Sequence, residues 1–411
     1  MTKESRCRAC REPLSDIILS LGRTPLANAL LSEADLARPE PTFPLDLAFC
    51  RRCSLVQILE TVPPDQLFRD YVYFSSYSDT MLHHTKELAE RMIRERGLGP
   101  DSLVIEAASN DGYLLRNYQA AGVKVLGIEP ARNIARHAWA VHGIPTREEF
   151  FTADYARRLV EEGYRADVFH AHNVLAHVPD LPGFLIGIRT LLKSKGVAVI
   201  EVPYVKAMLD GCEFDTIYHE HLCYFSLTAL NQAFQNSGLR IVDVEQVPIH
   251  GGSLRVFAST SDSVLVSDPR VDALLTDEQT WGVHGLEPYQ QFADRVKHIK
   301  MTLNELLAKL KGQGARIAAY GASAKGSTLL NYCGIGRDTL DFVADRSSVK
   351  QGRYTPGTHL RIEPPEKLLA AQPDYTLLLT WNFADEILTQ QAEYRRRGGR
   401  FIIPVPEPRV V

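Results

Sequence analysis

The sequence predicts an α/β protein in three parts, residues 1–75, 76–260 and 261–411: a small metal-stapled domain and then two Rossmann-like α/β domains. Three observations predict it. At 411 residues the chain is about two to three times as long as a usual domain, so more than one core is expected. Two C-x-x-C pairs, "CRAC" at 7–10 and "CRRC" at 50–53, bracket a proline-rich opening segment with little helical periodicity. Beyond residue 100 the pattern alternates twice between apolar runs, polar or glycine turns and helical segments, the rhythm of a parallel sheet covered by helices.

In order along the chain, a helix opens near Asp79, a candidate N-cap, and runs on an apolar stripe of Leu82, Leu88, Ala89, Met92 and Ile93 to a stop at Gly97. Strand and helix pairs follow: "LVIEAAS" to "NDGYLLRNYQAAG", "VKVLGIE" to "PARNIARHAWAVHG", and "ADVFHAHNVL" to "LPGFLIGIRTLLKSKG". "VAVIEVPYV", the helix "SLTALNQAFQNSG" and the strands "LRIVDVEQV" and "GGSLRVFAST" complete that unit. A linker is expected near 261–285, then a long helix ending near Lys311. The strand and helix rhythm returns in "ARIAAYGAS", "AKGSTLLNYCG", "LDFVADRS", "YTLLLTW" and "RFIIPVP".

Composition narrows the partners. The net charge is −4, with 46 basic and 50 acidic residues, so no bulk field favours nucleic acid or an anionic membrane. The polar first residues and the absence of an apolar run of roughly 18 to 20 residues give no membrane span. A soluble, cytoplasmic protein with a small-molecule partner is expected, and no protein partner is implied.

Of seven cysteines, four lie in the two pairs and Cys212, Cys223 and Cys333 remain as thiols. Cys7, Cys10, Cys50 and Cys53 supply the four soft thiolates that tetrahedral structural Zn²⁺ prefers. Four cysteines leave no position for a reactive water, so the metal is expected to fold the domain and take no part in the chemistry.

In the middle domain, Glu106, Ala107, Ser109, Asn110 and Gly112 end the first strand and open a helix, where open α/β sheets bind ligands. Small residues let a ligand approach, yet no G-x-G-x-x-G cradles a pyrophosphate. Glu129, followed by Pro130 at the end of the next strand, can take the two hydroxyls of a ribose; the plain alternative is an exposed strand-end acid. A strand-end acid without a phosphate cradle suits S-adenosylmethionine, whose charge is a sulfonium, so a class I (Rossmann-like) methyltransferase domain is expected. Asn173 and His177 lie beyond the same edge, whereas His170 and His172 are expected as packed or surface histidines.

"YHEH" at 218–221 lacks the i, i+4 histidines of a zinc-protease helix, so metal binding is the weaker reading. In a helical turn Tyr218 and His221 share a face; in a strand His219 pairs with His221 and Tyr218 with Glu220. Either gives a base next to a donor. Methylation at carbon needs a base for an acidic C–H and a donor for the resulting oxyanion. Neutral histidine serves as the base and tyrosine as the donor.

"CRAC", "CRRC", "YVYFSSYSDTM", "EAASNDGYLL", "GIEPARNIA", "HNVLAHVPD", "VPY", "YHEHLCYFS", "HGGSLRVF", "YGASAKGSTLLN" and "TWNFADEI" together resemble the zinc-containing, S-adenosylmethionine-dependent nucleotide-sugar C-methyltransferases, especially the C-3-methyltransferases of deoxysugar biosynthesis. The resemblance covers nearly the whole chain. It implies a ketosugar on a nucleoside diphosphate, commonly dTDP, bound between the methyltransferase core and the C-terminal domain. His221 is then the base that removes a proton next to a 4-keto group, and Tyr218, Glu220 and His177 fall on active-site positions. Glu220 would orient a histidine or bind a sugar hydroxyl. Tyr73, ahead of Tyr71, completes the implied set. His250 and Ser253 of "HGGS" and Lys325 are expected on the nucleotide side; for Lys325, facing a diphosphate and plain surface solvation are equal alternatives. Two other readings stay open: an O- or N-methyltransferase on the same fold, and a silent module that binds a nucleotide sugar.

Overall fold

In a computed structural model the described residues are 5–69, 74–249 and 251–411; Tyr71, Tyr73 and His250 lie outside them. Three sheets organise the described residues. The first is antiparallel, with strands Asp16–Thr24, Phe43–Phe49 and Val56–Ile58 in order, and its fourth strand is Cys223–Tyr224. The sheet of the opening domain is thus completed by a strand from the middle of the chain. Val56 pairs with Tyr224 and Gln57 with Cys223, so residues just after "YHEH" close the N-terminal sheet.

The central sheet has seven strands. Five are parallel, in spatial order Leu192–Pro203, Ala166–His172, Leu103–Ala107, Lys124–Ile128 and Thr146–Arg147, and the antiparallel pair Ser253–Thr260 and Leu239–Val247 extends one edge. The first strand, Leu103–Ala107, lies between the second and fourth in chain order, which makes its carboxyl end the switch point where such sheets bind ligands. The strands read as near-continuous apolar runs because both faces are covered: Ile105, Ala107, Phe169 and Ile200 on one side, Val104, Val168 and Val199 on the other, all fully buried.

The third sheet repeats this plan with Ile317–Tyr320 flanked by Val343–Ala344 and Tyr375–Leu378 in parallel pairing. Two local expectations change. Ser78, not Asp79, caps the helix Asp79–Arg96 by accepting from Met81 N, and Asp79 occupies its first turn, where a negative charge meets the positive end of the helix dipole. Residues within the expected linker form the helix Pro269–Trp281, capped by Asp268. Its few apolar side chains hid it; its buried Glu278 accepts from the Leu227 and Thr228 amides at 2.7 Å each and so caps the helix Leu227–Asn236. No helix among the described residues is long and apolar enough to cross a membrane.

Candidate active site and metal centre

The four cysteine sulfurs lie within 4.8 Å of one another, with Cys7 to Cys53 and Cys10 to Cys50 at 3.5 Å. Those separations are too long for disulfides. Tetrahedral sulfurs about 2.3 Å from a central zinc would stand about 3.8 Å apart, so the donor set fits the ion. Both loops are built alike: Arg11 N bonds Cys7 O and Ser54 N bonds Cys50 O, and Arg11 and Ser54 both have positive φ, 65° and 58°. Gln57 donates to Cys7 Sγ at 3.2 Å and is fixed by the Arg8 backbone N–H. Buried Arg8 also reaches the carbonyls of Ile58 and Glu60, tying the metal loop to the strand Val56–Ile58, which pairs with Cys223–Tyr224.

At the switch point the loop after Leu103–Ala107 turns through Ala108 and Asn110, both at positive φ. Gly112 has φ +80°, and a Cβ there would meet Ile144 at 2.7 Å, so the loop packs this closely only with glycine. Glu129 accepts from the Asn110 and Ala131 amides at 2.9 and 2.8 Å. Burial pushes its carboxyl up to about 7 against the pull of those two amides. Pro130, partly buried, follows it. Around this edge Ser109 Oγ, Asp111 Oδ1 and Asn173 Oδ1 are buried with no hydrogen-bond partner among the described residues. Such atoms are costly unless a ligand satisfies them. Asn173 itself has φ 54° and is fixed by its amide to Glu201 O at 2.8 Å. Glu106 is fully buried with no hydrogen-bond partner for either oxygen among the described residues, and burial beside Glu129 and Asp111 raises its pKa well above the usual carboxylate range. Phe74–Tyr77 lies over this loop, with Ser75 N on Asn110 Oδ1 and Ser76 N on Asp111 Oδ2.

"YHEH" forms a turn in which His221 N bonds Tyr218 O at 2.9 Å, so the helical-turn alternative holds and Tyr218 and His221 face each other. The Tyr218 hydroxyl lies 3.0 Å from His221 Nε2, and His221 Nδ1 lies 2.8 Å from the Thr216 carbonyl. A carbonyl only accepts, so Nδ1 carries the proton and, in neutral imidazole, Nε2 carries the lone pair. His177 stands beside it, ring centroids 4.9 Å apart, and donates from Nδ1 to the Glu220 carbonyl at 2.6 Å. Burial lowers the His177 pKa and keeps the ring neutral. The Glu220 carboxyl, 5% exposed, accepts from Asn28 Nδ2 at 2.7 Å, and burial pushes it up to about 7.

His219 turns away to donate to Pro44 O at 3.0 Å and to pack edge-on against Phe43. It fastens the turn to the N-terminal sheet. His170 and His172 are buried and packed, as one alternative had it, in a chain from the Tyr118 hydroxyl through His170 to His172. Two nucleotide-side expectations meet a different geometry. Ser253 is buried with its hydroxyl bonded to Ile249 O at 3.0 Å, and Lys325 pairs with Glu213 at 3.0 Å. Lys325 thus faces a carboxylate and lies near buried Asp215. Sequence reasoning missed Asn28, Thr216 and Phe68, which packs edge-on against His177 at 5.5 Å; none sits in a motif that announces it.

Residues 7–68 match the family model described as "Putative zinc binding domain", residues 81–244 a methyltransferase domain, and residues 248–406 the C-methyltransferase C-terminal domain. The C-methyltransferase NovU of Streptomyces niveus is 38% identical over 405 residues, which cover 98% of this chain and 96% of that protein. Among solved structures, a S-adenosylmethionine-dependent methyltransferase from Clostridium acetobutylicum is 8% identical over 43% of this chain and 90% of its own, with TM-score 0.35. The magnesium protoporphyrin IX methyltransferase of Synechocystis PCC 6803 is 14% identical over 46% and 86%, with TM-score 0.34; both likenesses are too distant to carry an argument. With a near-full-length relative, a four-cysteine cluster that fits zinc and a class I sheet with an open polar edge, the chain belongs to the S-adenosylmethionine-dependent C-methyltransferases.

Proposed function

We propose that the chain methylates C-3 of a dTDP-linked 4-keto-deoxysugar, with His221 as the base. The observation that carries this reading is the juxtaposition of His221 Nε2 and the Tyr218 hydroxyl, 3.0 Å apart, on an imidazole whose other nitrogen is committed to Thr216 O. A ketone acidifies the neighbouring C–H, and its enolate needs a base at carbon and a donor at oxygen. His221 Nε2 takes the C-3 proton, the C–H electron pair becomes the enolate, and the Tyr218 hydroxyl donates to the oxyanion. S-Adenosylmethionine, when bound, supplies the electrophilic methyl for the new carbon–carbon bond.

Other residues support the reading. Each Glu129 oxygen keeps a lone pair beyond its backbone bond, which suits ribose hydroxyls. Asn110, Asn173, Ser109 and Asp111 offer polar groups along the same edge. His177, held neutral with its Nδ1–H on Glu220 O, offers Nε2 to a sugar hydroxyl. Glu220, near neutrality by burial, can donate or accept there.

The test is turnover of a dTDP-4-keto-6-deoxysugar panel with wild-type protein and His221→Asn. Carbon methylation lost in the variant while S-adenosylmethionine still binds supports the reading. Methylation on oxygen or nitrogen by the wild type, or wild-type carbon methylation by His221→Asn, would overturn it.

A further inference from the structure

We infer that Trp381 and Asp215 are positioning residues for the base: the C-terminal domain holds Asp215, and through the short turn Phe214–Thr216 it fixes the carbonyl that decides which nitrogen of His221 carries the proton. This rests on the reading of His221 as the base.

The three side chains just ahead of Thr216 are all engaged by the C-terminal domain. Glu213 takes Lys325 Nζ at 3.0 Å, and Lys325 lies over the Trp381 ring, 5.2 Å from its centroid. Phe214 meets the ring of Tyr332 edge-on at 5.4 Å. Asp215 is fully buried, and its Oδ2 accepts from Trp381 Nε1–H at 2.7 Å. Its other oxygen, Oδ1, is buried with no hydrogen-bond partner among the described residues. A carboxyl group buried with so few donors is costly. The nearby Lys325 charge and the indole N–H offset part of that cost.

One residue later, the Thr216 carbonyl points out of the turn. The turn's internal bonds run from Thr216 N to Glu213 O and from Ile217 N to Phe214 O, which leaves Thr216 O for His221 Nδ1–H at 2.8 Å and the Tyr224 hydroxyl at 3.4 Å. A small rotation of the turn would break the bond to His221. The ring could then carry its proton on Nε2, which faces Tyr218 and is the nitrogen that must receive the substrate proton. Such a tautomer binds substrate equally well and cannot react, so the loss belongs to kcat and not to KM.

The experiment uses full-length, zinc-loaded protein with ¹⁵N-labelled histidine, the His221 signals being identified by their absence in His221→Asn. Wild type should show a protonated Nδ1 and an unprotonated Nε2. Trp381→Phe keeps a ring under Lys325 but lacks the N–H, and Asp215→Leu lacks the acceptor. Both should populate the Nε2–H tautomer, with kcat lower by about tenfold or more, the direction seen when a base is held in the wrong tautomer, and KM unchanged. Asp215→Asn retains an oxygen for the indole and should keep the wild-type pattern. Folded, zinc-bound Trp381→Phe or Asp215→Leu with the wild-type tautomer would overturn the proposal, as would a shifted tautomer in Asp215→Asn. Carbon methylation surviving in His221→Asn would instead remove the base assignment, leaving the tautomer comparison to decide the positioning claim by itself.

Discussion

Two domains grip the stretch around "YHEH", and they grip it differently. On the N-terminal side the hold is chiefly strand pairing in the cysteine-stapled sheet, through Cys223–Tyr224 and the bond from Ile58 N to Leu222 O, with the His219 and Glu220 side chains bonded to Pro44 O and Asn28. On the C-terminal side it is three side-chain contacts from Lys325, Tyr332 and Trp381. The first grip gives the turn its place, since strand pairing tolerates little slippage once a face is buried. The second acts on the three residues just ahead of Thr216, whose carbonyl bonds His221 Nδ1. Shape and protonation of one turn are thus assigned to separate neighbours, and the two can be broken separately.

The largest effect should come from the group both grips serve. His221→Asn is expected to lower carbon methylation by about 10² to 10⁴-fold, the usual contribution of a general base, with S-adenosylmethionine affinity by calorimetry unchanged. Breaking the N-terminal grip should come next. Stripping zinc with a chelator, or Cys7→Ser, should cost the metal, the cooperative melting of the N-terminal sheet and activity together, because structural zinc binding is folding free energy. Activity lost by Cys7→Ser with metal content and melting intact would show that this grip does not work through the fold. A loss of about 10² to 10³-fold in kcat is expected for Tyr218→Phe, which removes a single oxyanion donor.

The last effect is on stability and concerns Glu220, held by Asn28 of the N-terminal domain. Folding raises its carboxyl from an ordinary 4.5 to about 7, so the neutral form is favoured in the folded state. Wild type therefore loses stability as pH rises from about 4.5 to about 7, by about 3 kcal/mol for a shift of that size. Glu220→Gln keeps the Asn28 bond and lacks the loss. Its melting temperature should gain on wild type at pH 8 relative to pH 5; a pH-independent difference would place the ionisation elsewhere.

Local chemistry was legible in the sequence and distant pairing was not. The C-x-x-C pairs announce a metal because the ligands lie in short loops, and the ends of the strands carrying Glu106 and Glu129 announce a ligand edge because strand, turn and helix follow one another directly. "YHEH" left helix and strand geometries open until the turn put Tyr218 against His221. Contacts between residues far apart in the chain, such as Gln57 with Cys223 and Asp215 with Trp381, leave no local periodicity to read. Lys325 shows the converse: its place at a helix start suggested a phosphate, but the partner it has is Glu213, from another domain.

The most direct test of the central claim is mass spectrometry of the reaction with S-adenosylmethionine and the dTDP-4-keto-6-deoxysugar panel in D₂O. The account predicts a product one methyl heavier, with the C-3 hydrogen of unreacted substrate exchanging for deuterium in wild type and not in His221→Asn. A methylated product that keeps its C-3 hydrogen would contradict it.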